Sequence, residues 1–309
     1  MFLMNALIIG GMGYIGSWLA RRLLEAGDNV AIVDNCRSHD PKTYDKALFK
    51  LKPYVPKLII DIKDSTEIKV NELKGIDVIY YLAGLVGVPE CEADEKASHL
   101  QNVEKLAKVL QTATEAGIQR FVYTSTAAVY GDESLCKEDN EVKPLNVYGN
   151  HKLMAEQMVL SAPMKTSVAR LSNVFGFGFY GNKGVLNKWC SEAVNDKSIV
   201  LYGSGDQVRD FVHVRDVVDA LLYLSMIEPG VYNVGSGKTK TLKEAANMIT
   251  KLTNTELLHD SNLRPESEPM KGYKYNINKL RSLGWRPKVT MRKGVKDNIS
   301  KIREGGLIR

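Results

Sequence analysis

The stretch ALIIGGMGYIGSWLARRLLEAG at residues 6–27 decides the fold. It opens with an apolar run, ALIIG at 6–10, which is typical of a buried strand, and continues into a glycine cluster, GGMGYIG at 10–16. SWLARRLLEAG at 17–27 then places its apolar residues at helical spacing and ends at a glycine. A strand, a glycine turn and a helix in this order predict the first unit of a parallel sheet.

The glycines of this turn fit two overlapping patterns. Gly11, Gly13 and Gly16 give G-x-G-x-x-G, and Gly10, Gly13 and Gly16 give G-x-x-G-x-x-G. Because glycine has no Cβ, such a backbone can approach a pyrophosphate, while the helix N-terminus supplies amide donors and a positive dipole end. The glycines alone also fit a tight strand-to-helix turn that holds no ligand.

Asp34 favours the nucleotide interpretation. It ends the next predicted strand, NVAIVD at 29–34, and lies 18 residues after Gly16. A carboxylate about 20 residues after such a loop bonds the ribose of NAD and repels the 2′-phosphate of NADP. Arg37 could instead accommodate a phosphate, and an aspartate before Asn35 can also simply initiate a turn. With the glycines in place, the sequence favours a ribose-binding Asp34.

The following 90 or so residues continue the alternation of apolar runs and amphipathic segments. Further strands are predicted at KLIIDI (57–62), DVIYYLAG (77–84) and RFVYTST (120–126), and a long helix at about 98–117. Near-continuous apolar strands separated by helices predict an α/β fold, a Rossmann doubly wound parallel sheet covered on both faces.

After about residue 174 this rhythm changes, since FGFGFYGNKG at 175–184 and LRPESEP at 263–269 are typical of loops. We expect a dinucleotide-binding domain of residues 1–174 plus about 211–236. A smaller C-terminal α/β lobe of about 175–210 plus 237–309 would bind substrate at the carboxyl edge of the sheet, where open α/β sheets hold ligands.

Composition excludes several other classes of protein. The 309 residues carry a net charge of +6 without a basic block, so we expect no nucleic-acid partner. Cys36, Cys91, Cys136 and Cys190 are widely separated, which predicts reduced thiols in a cytoplasmic protein and no metal site. No apolar run approaches the roughly 18 residues of a membrane span.

A second motif, YGNHK at 148–152, places Tyr148 and Lys152 four residues apart on one helix face. An ammonium near a phenol lowers the phenol pKa from about 10 and can make Tyr148 a general base. The pair alone is common on ordinary helix surfaces. The catalytic interpretation of the pair is favoured because the pair follows TSTAAVYG at 124–131, where a strand at the carboxyl edge ends in hydroxyl residues.

Together these motifs resemble the extended short-chain dehydrogenase/reductase family, and within it the UDP-glucose 4-epimerase type, over nearly the whole chain. Besides the segments above, the resemblance rests on DIKD (61–64), YLAGL (81–85), NVEKLAKVL (102–110), RLSNVFG (170–176), RDFVHVRDVVDAL (209–221) and RPESEP (264–269). It implies NAD as cofactor, a UDP-sugar as substrate, and a homodimer formed by helices near 98–117 and 148–160.

The resemblance also implies residue roles. The catalytic residues would be Thr126, Tyr148 and Lys152. The cofactor-binding residues, besides Tyr148 and Lys152, would be Gly10, Gly13, Tyr14, Ile15, Gly16, Asp34, Asn35, Arg37, Asp61, Ile62, Leu82, Ala83, Gly84, Asn102 and Thr124. The substrate-binding residues, besides Thr126 and Tyr148, would be Asn173, Leu201, Tyr202, Arg209, Arg264 and Glu268.

The implied reaction is epimerisation at C4 of a UDP-glucose or UDP-galactose type of sugar, through a 4-keto intermediate. Dehydratases of this group carry an Asp-Glu pair directly after the hydroxyl residue, where this chain has Ala127 and Ala128. The segment LVGVPECEADEKASH at 85–99 departs from the usual epimerase loop. Another nucleotide-sugar epimerase, a 4-ketoreductase, an L-threonine dehydrogenase and a non-catalytic NAD-sensing protein remain as alternatives.

Overall fold

The computed structural model describes residues 3–36, 57–178, 184–261 and 272–304. Its strands are β1 Asn5–Ile9, β2 Asn29–Asp34, β3 Leu58–Ile62, β4 Val78–Tyr81, β5 Arg120–Thr126, β6 Leu135–Cys136, β7 Lys165–Leu171, β8 Asn173–Phe175, β9 Ile199–Tyr202, β10 Val208–His213, β11 Gly230–Val234, β12 Thr239–Thr241, β13 Leu257–Asp260 and β14 Lys274–Tyr275. Seven of them form one parallel sheet in the order β11-β7-β5-β4-β1-β2-β3. The order reverses between β1 and β4, so the carboxyl ends of these two strands border the crevice where such sheets bind ligands.

The helices are α1 Tyr14–Ala26, α2 Val88–Ala93, α3 Glu95–His99, α4 Lys105–Glu115, α5 Val147–Ser161, α6 Val185–Val194, α7 Val214–Leu224, α8 Leu242–Thr253, α9 Asn278–Ser282 and α10 Met291–Arg303. A π-helical turn, Leu100–Glu104, joins α3 to α4. Within the described ranges, short 3-10 turns cover Ser65–Glu67, Val70–Leu73 and Ala127–Tyr130. Among the described residues, no helix is long and apolar enough to cross a membrane.

Both faces of the large sheet are covered, because successive side chains of its apolar strands point to opposite sides. On one face, Ile8 and Tyr80 pack in a core with Leu19 of α1 and Leu221 of α7. On the other, the core is formed with α4 and α5, and its members include Ile9, Tyr81, Leu106, Tyr123 and Val159. The predicted doubly wound parallel sheet is therefore confirmed.

A third core belongs to the smaller lobe. There, α6, α8 and α10 pack together with the lobe's short strands, through residues that include Phe175, Trp189, Phe211, Ile249 and Ile299. The domain boundaries stay a prediction, and the packing differs from them in two places. Phe211, which the sequence assigned to the dinucleotide-binding domain, packs in the lobe core. Ile277, Leu280 and Trp285, which the sequence assigned to the lobe, pack in the core of the large sheet.

Candidate active site

The glycine turn lies at the carboxyl end of β1, and its tight geometry excludes side chains. Gly10 has a φ of 82°, and a Cβ there would lie 2.6 Å from the Ala83 nitrogen. A Cβ on Gly16 would lie 2.3 Å from the Gly10 carbonyl oxygen. Gly13 is the N-cap of α1, and Tyr14 and Ile15 begin its first turn, which contains no acidic residue. This helix N-terminus can accept an anion such as a pyrophosphate.

Asp34 faces this turn from the end of β2. Its Oδ2 accepts a hydrogen bond of 3.0 Å from the Met12 backbone, and its Oδ1 accepts one of 2.8 Å from the Cys36 backbone. The next side chain, Asn35, donates to Asp64 at 3.4 Å. Because each carboxylate oxygen has a second lone pair, Asp34 can still accept from ribose hydroxyls.

The carboxyl end of β4 forms the floor of the crevice. Leu82 donates its backbone N–H to the Ile9 carbonyl at 2.8 Å, which places Leu82, Ala83 and Gly84 beside the glycine turn. Gly84 has a φ of 154°, and a Cβ there would lie 2.4 Å from Oδ1 of Asn102. Asn102 lies in the π-helical turn, an insertion that often marks functional sites.

Asn102 is buried, and its amide nitrogen donates to the Leu85 carbonyl at 3.1 Å and to Ser98 Oγ at 3.2 Å. Its Oδ1 has no hydrogen-bond partner in the described part of the chain. An unsatisfied buried acceptor is costly, so a ligand donor at this point would be favourable. The glycine cradle, Asp34 and this orphaned oxygen all fit a bound dinucleotide.

Three of the remaining predicted cofactor residues, Asp61, Ile62 and Thr124, lie on strands on either side of the crevice. Asp61 and Ile62 end the edge strand β3; Asp61 pairs with Lys63 at 2.8 Å, and Ile62 is exposed. Thr124 is buried in β5 and donates its hydroxyl to the Tyr81 carbonyl at 3.2 Å. Arg37 lies outside the described residues.

The structure brings Thr126, Tyr148 and Lys152 together. Thr126 is the last residue of β5, and α5 starts at Val147, where the Asn146 side chain caps it by accepting from the Gly149 N–H at 2.8 Å. The Thr126 side chain lies close enough to Tyr148 to lower the pKa of the phenol. One turn later, the buried Lys152 ammonium donates to the Thr124 carbonyl at 2.6 Å and lies 4.3 Å from the centre of the Tyr123 ring. The phenol, hydroxyl and ammonium thus meet where β5 ends.

Burial dominates the ionisation of this group. It raises the pKa of Tyr148 to about 12, against the Thr126 side chain, which lowers it. Burial lowers the pKa of Lys152 to about 7, while the Glu156 carboxylate opposes that shift. In the chain by itself, burial therefore keeps the phenol pKa above its usual value. The expectation that Lys152 lowers it stays a prediction. A further positive charge beside the phenol would favour its ionised form.

The substrate-binding residues predicted from the sequence divide into three groups. Asn173 on β8 and Arg209 on β10 meet at Tyr273: the Asn173 amide donates to its hydroxyl at 2.7 Å, and the Arg209 guanidinium carbon lies 5.6 Å from its ring centre. Leu201 is buried in the lobe core, so its side chain is a packing residue and only its backbone can reach a ligand. Tyr202 is half-buried at the end of β9, whereas Arg264 and Glu268 lie outside the described residues.

Sequence reasoning missed Tyr273. The preceding residue, Gly272, has a φ of 77°, and a Cβ there would lie 1.9 Å from the Val208 carbonyl oxygen and 2.7 Å from an Arg209 terminal nitrogen. The glycine therefore lets the Arg209 side chain pass close to the backbone. A Gly-Tyr pair after a polar loop is the only signal in the sequence, and it is too common to identify a site.

Comparison with known proteins fits this arrangement. The model of the NAD dependent epimerase/dehydratase family matches residues 6–235, which include the glycine turn, Asp34, Thr126, Tyr148 and Lys152. The chain belongs to this family. The resemblance described from the sequence is thereby confirmed at the family level.

Individual members of the family differ in substrate and reaction. A UDP-glucose 4-epimerase of Lactobacillus helveticus is 28% identical, with 91% of this chain and 92% of that protein covered. A dTDP-D-glucose 4,6-dehydratase of Mus musculus is 31% identical, with 92% and 84% covered. The solved structure of MoeE5 in complex with UDP-glucose and NAD is 26% identical, covers 97% of this chain and 99% of its own, and has a TM-score of 0.85.

Proposed function

We propose that this chain epimerises a UDP-sugar at C4 by removing a hydride and returning it to the other face, with NAD as its cofactor. The observation that carries the proposal is the meeting of Thr126, Tyr148 and Lys152 at the carboxyl end of β5, two strands across the sheet from β1, which leads into the glycine turn, and three from β2, which ends at Asp34. A proton-transfer group next to a dinucleotide cradle is what alcohol oxidation requires.

Each residue of this group has a separate task. Tyr148 takes the proton from the 4-hydroxyl of the sugar and returns it after the sugar has turned. Thr126, whose side chain lies beside Tyr148, donates to the same sugar oxygen as it becomes a carbonyl. Lys152, one helical turn after Tyr148, supplies a positive charge near the carboxyl end of β5. Bound NAD supplies the hydride acceptor and, after rotation of the 4-keto sugar, the hydride donor.

The diphosphate anchor must lie away from the reacting carbon, because the sugar has to rotate while the nucleotide stays bound. Arg209 suits this task, since a guanidinium matches phosphate oxygens in geometry and charge. Asn173 and Tyr273 fix the wall beside it. Arg264 and Glu268 complete the substrate contacts in this proposal.

The mouse relative raises a 4,6-dehydratase as the alternative reaction. Loss of the 6-hydroxyl needs an acid and a base after the hydroxyl residue, but here Ala127 is buried and Ala128 offers only its backbone N–H, which donates to Thr126 at 3.2 Å. Neither position carries a proton-transfer group. This observation favours epimerisation.

A panel of nucleotide sugars tests the proposal and selects the substrate. The purified protein, without added NAD, is incubated with UDP-glucose, UDP-N-acetylglucosamine, UDP-glucuronate and dTDP-glucose, and the products are followed by proton NMR. We expect the 4-epimer of at least one UDP-sugar to accumulate to equilibrium. A 4-keto-6-deoxy product would support the dehydratase, stoichiometric consumption of added NAD would support a dehydrogenase, and no turnover with NAD bound would support a sensor.

A further inference from the structure

A buried ion pair lies directly behind the proposed catalytic group. Glu156 on α5 and Arg170 on β7 are 1% and 5% exposed. The Arg170 Nε donates to Oε1 of Glu156 at 3.1 Å, and its Nη2 donates to Oε2 at 2.8 Å. Ser125 of β5 also donates its hydroxyl to Oε1. One carboxylate therefore joins a helix to two neighbouring strands.

The same helix and strand, α5 and β5, also hold Lys152. Glu156 follows Lys152 by four residues on α5, so the two side chains lie on one helix face. Ser125 stands between Thr124, whose carbonyl accepts the Lys152 hydrogen bond, and Thr126, whose side chain lies beside Tyr148. The ion pair thus fixes the helix and the strand that hold the proposed catalytic group.

Among the described groups around Lys152, Glu156 differs from the others in its negative charge. Lys152 faces the Thr124 carbonyl and the Tyr123 ring of β5, Cys91 of α2, and Glu156 of its own helix, on which Tyr148 lies one turn earlier. Burial raises the pKa of the phenols Tyr123 and Tyr148 and of the Cys91 thiol, so these groups are neutral near pH 7. Among the described groups that face the ammonium, the Glu156 carboxylate supplies the negative charge.

We propose that Glu156 is a positioning residue that keeps Lys152 charged in its buried site, with Arg170 and Ser125 holding the carboxylate in place. The catalytic role of Glu156 rests on the proposed function, whereas its electrostatic effect on Lys152 does not. Arg170 limits the effect, because its cation offsets part of the field of the anion. Removing the anion alone and removing both charges must therefore act differently on Lys152.

The experiment follows the Lys152 ammonium by NMR in protein labelled with 13C at the lysine Cε, assigned by comparison with Lys152→Met. Because the titration needs no turnover, it tests the effect of Glu156 on Lys152 even if the protein epimerises no UDP-sugar. Glu156→Gln should lower the titration midpoint of Lys152 by about one pH unit or more, because the carboxylate that stabilises the ammonium is removed while the Arg170 cation remains. Glu156→Gln/Arg170→Met removes both charges and should move the midpoint back toward the wild-type value.

Ser125→Ala is the matched control, since it removes a hydrogen bond to the same carboxylate without changing charge. It should leave the midpoint close to that of the wild type. An unshifted midpoint in folded Glu156→Gln, or a double variant as shifted as the single one, would overturn the proposal. If the double variant does not fold, the near-isosteric Gln variant decides alone.

In an active enzyme, the pH at which kcat declines on the alkaline side should rank the variants in the same order as the Lys152 titration midpoint. It should fall at lower pH in Glu156→Gln than in the wild type, because Lys152 then loses its proton earlier. A loss of kcat with an unchanged pH profile would mean that Glu156 is merely structural.

Discussion

At the scale of single residues, two opposing effects set the pKa of the Tyr148 phenol. Desolvation raises its pKa to about 12, and the Thr126 side chain offsets part of the rise. A group with that pKa is protonated at neutral pH, so the base form requires additional positive charge in the occupied site. The residue is thus suited to releasing a proton only when the site is filled.

Tyr148→Phe should lower kcat by about 100- to 10,000-fold, because the proton acceptor is gone while the ring still fills its space. NAD should stay bound, which the absorbance and mass of the purified protein report. Tyr123→Phe is the control: this neighbouring hydroxyl is buried and has no hydrogen-bond partner in the described part of the chain. If Tyr148→Phe kept near-normal turnover, another group would be the base.

Asp34→Ala should reduce the preference for NAD over NADP by about tenfold or more, because the carboxylate that repels a 2′-phosphate is removed. The dissociation constants of both cofactors, measured by calorimetry on cofactor-stripped protein, give the ratio. Asp28→Ala is the control, since Asp28 instead accepts from the Met4 backbone near the other end of β2. An unchanged ratio in Asp34→Ala would contradict the ribose role.

At the scale of elements, a second ion pair joins the turn after β3 to α4. Asp64 caps the 3-10 turn Ser65–Glu67 and pairs with the buried Lys105 of α4. Against the opposing effect of burial, these hydrogen bonds lower the pKa of Asp64 to about 2. Because Asp64 also accepts from Asn35, the pair holds the ends of β2 and β3 in place.

A carboxyl with a lowered folded-state pKa stabilises the protein above its unfolded-state pKa, and this contribution is lost as the pH falls toward the folded-state value. Asp64→Asn should therefore cost up to about 2 kcal/mol of unfolding free energy at pH 6, with the difference from wild type shrinking toward pH 2.5. Urea unfolding at both values measures it. Asp61→Asn, at a more exposed pair, is the control and should cost less. A difference that does not depend on pH would contradict the assignment.

The sequence predicted the regular elements well, because periodicity reports burial. NVAIVD at 29–34 and RFVYTST at 120–126 coincide with β2 and β5. The predicted helix at 98–117 is instead interrupted by the π-helical turn Leu100–Glu104 and starts earlier, at Glu95. One residue inserted into a helical turn leaves almost no trace in apolar spacing, so sequence reasoning could not find it.

The sequence predicted only part of the candidate site. Tyr148 and Lys152 carry a local spacing, so a pattern could locate them. Glu156, Arg170 and Tyr273 depend on contacts between distant segments, which one sequence does not reveal. Leu201 followed from resemblance alone, and its burial in the lobe core depends on how the lobe packs.

At the scale of the whole molecule, the crevice is bordered by two bodies with separate cores. Tyr14 and Trp18 of α1 join them by donating to the carbonyls of Gly176 and Phe177 at 2.7 and 2.8 Å. The helix that carries the glycine turn therefore also binds the segment that leads into the lobe. These two hydrogen bonds fix the position of α1 relative to that segment.

We propose that the protein is a homodimer, with α4 and α5 and the π-helical turn at the interface. Leu100 and Met154 are 43% and 42% exposed, and they flank the edge-on contact of His99 with His151. Met154→Lys should shift the mass in sedimentation velocity from about twice 34.4 kDa toward one chain. Met226→Lys, at a residue that is 67% exposed and follows α7, should leave the mass unchanged. A wild-type protein of single-chain mass would contradict the proposal.

The central claim is that a hydride leaves C4 of the sugar and returns to the same carbon within one active site. A UDP-sugar deuterated at C4, chosen as the substrate found in the panel, tests it directly when no NAD is added. We expect the 4-epimer formed to retain its deuterium at C4, as read by proton NMR and mass spectrometry. Loss of the label to solvent, or an epimer formed without a deuterium isotope effect and with protium at C4, would contradict it.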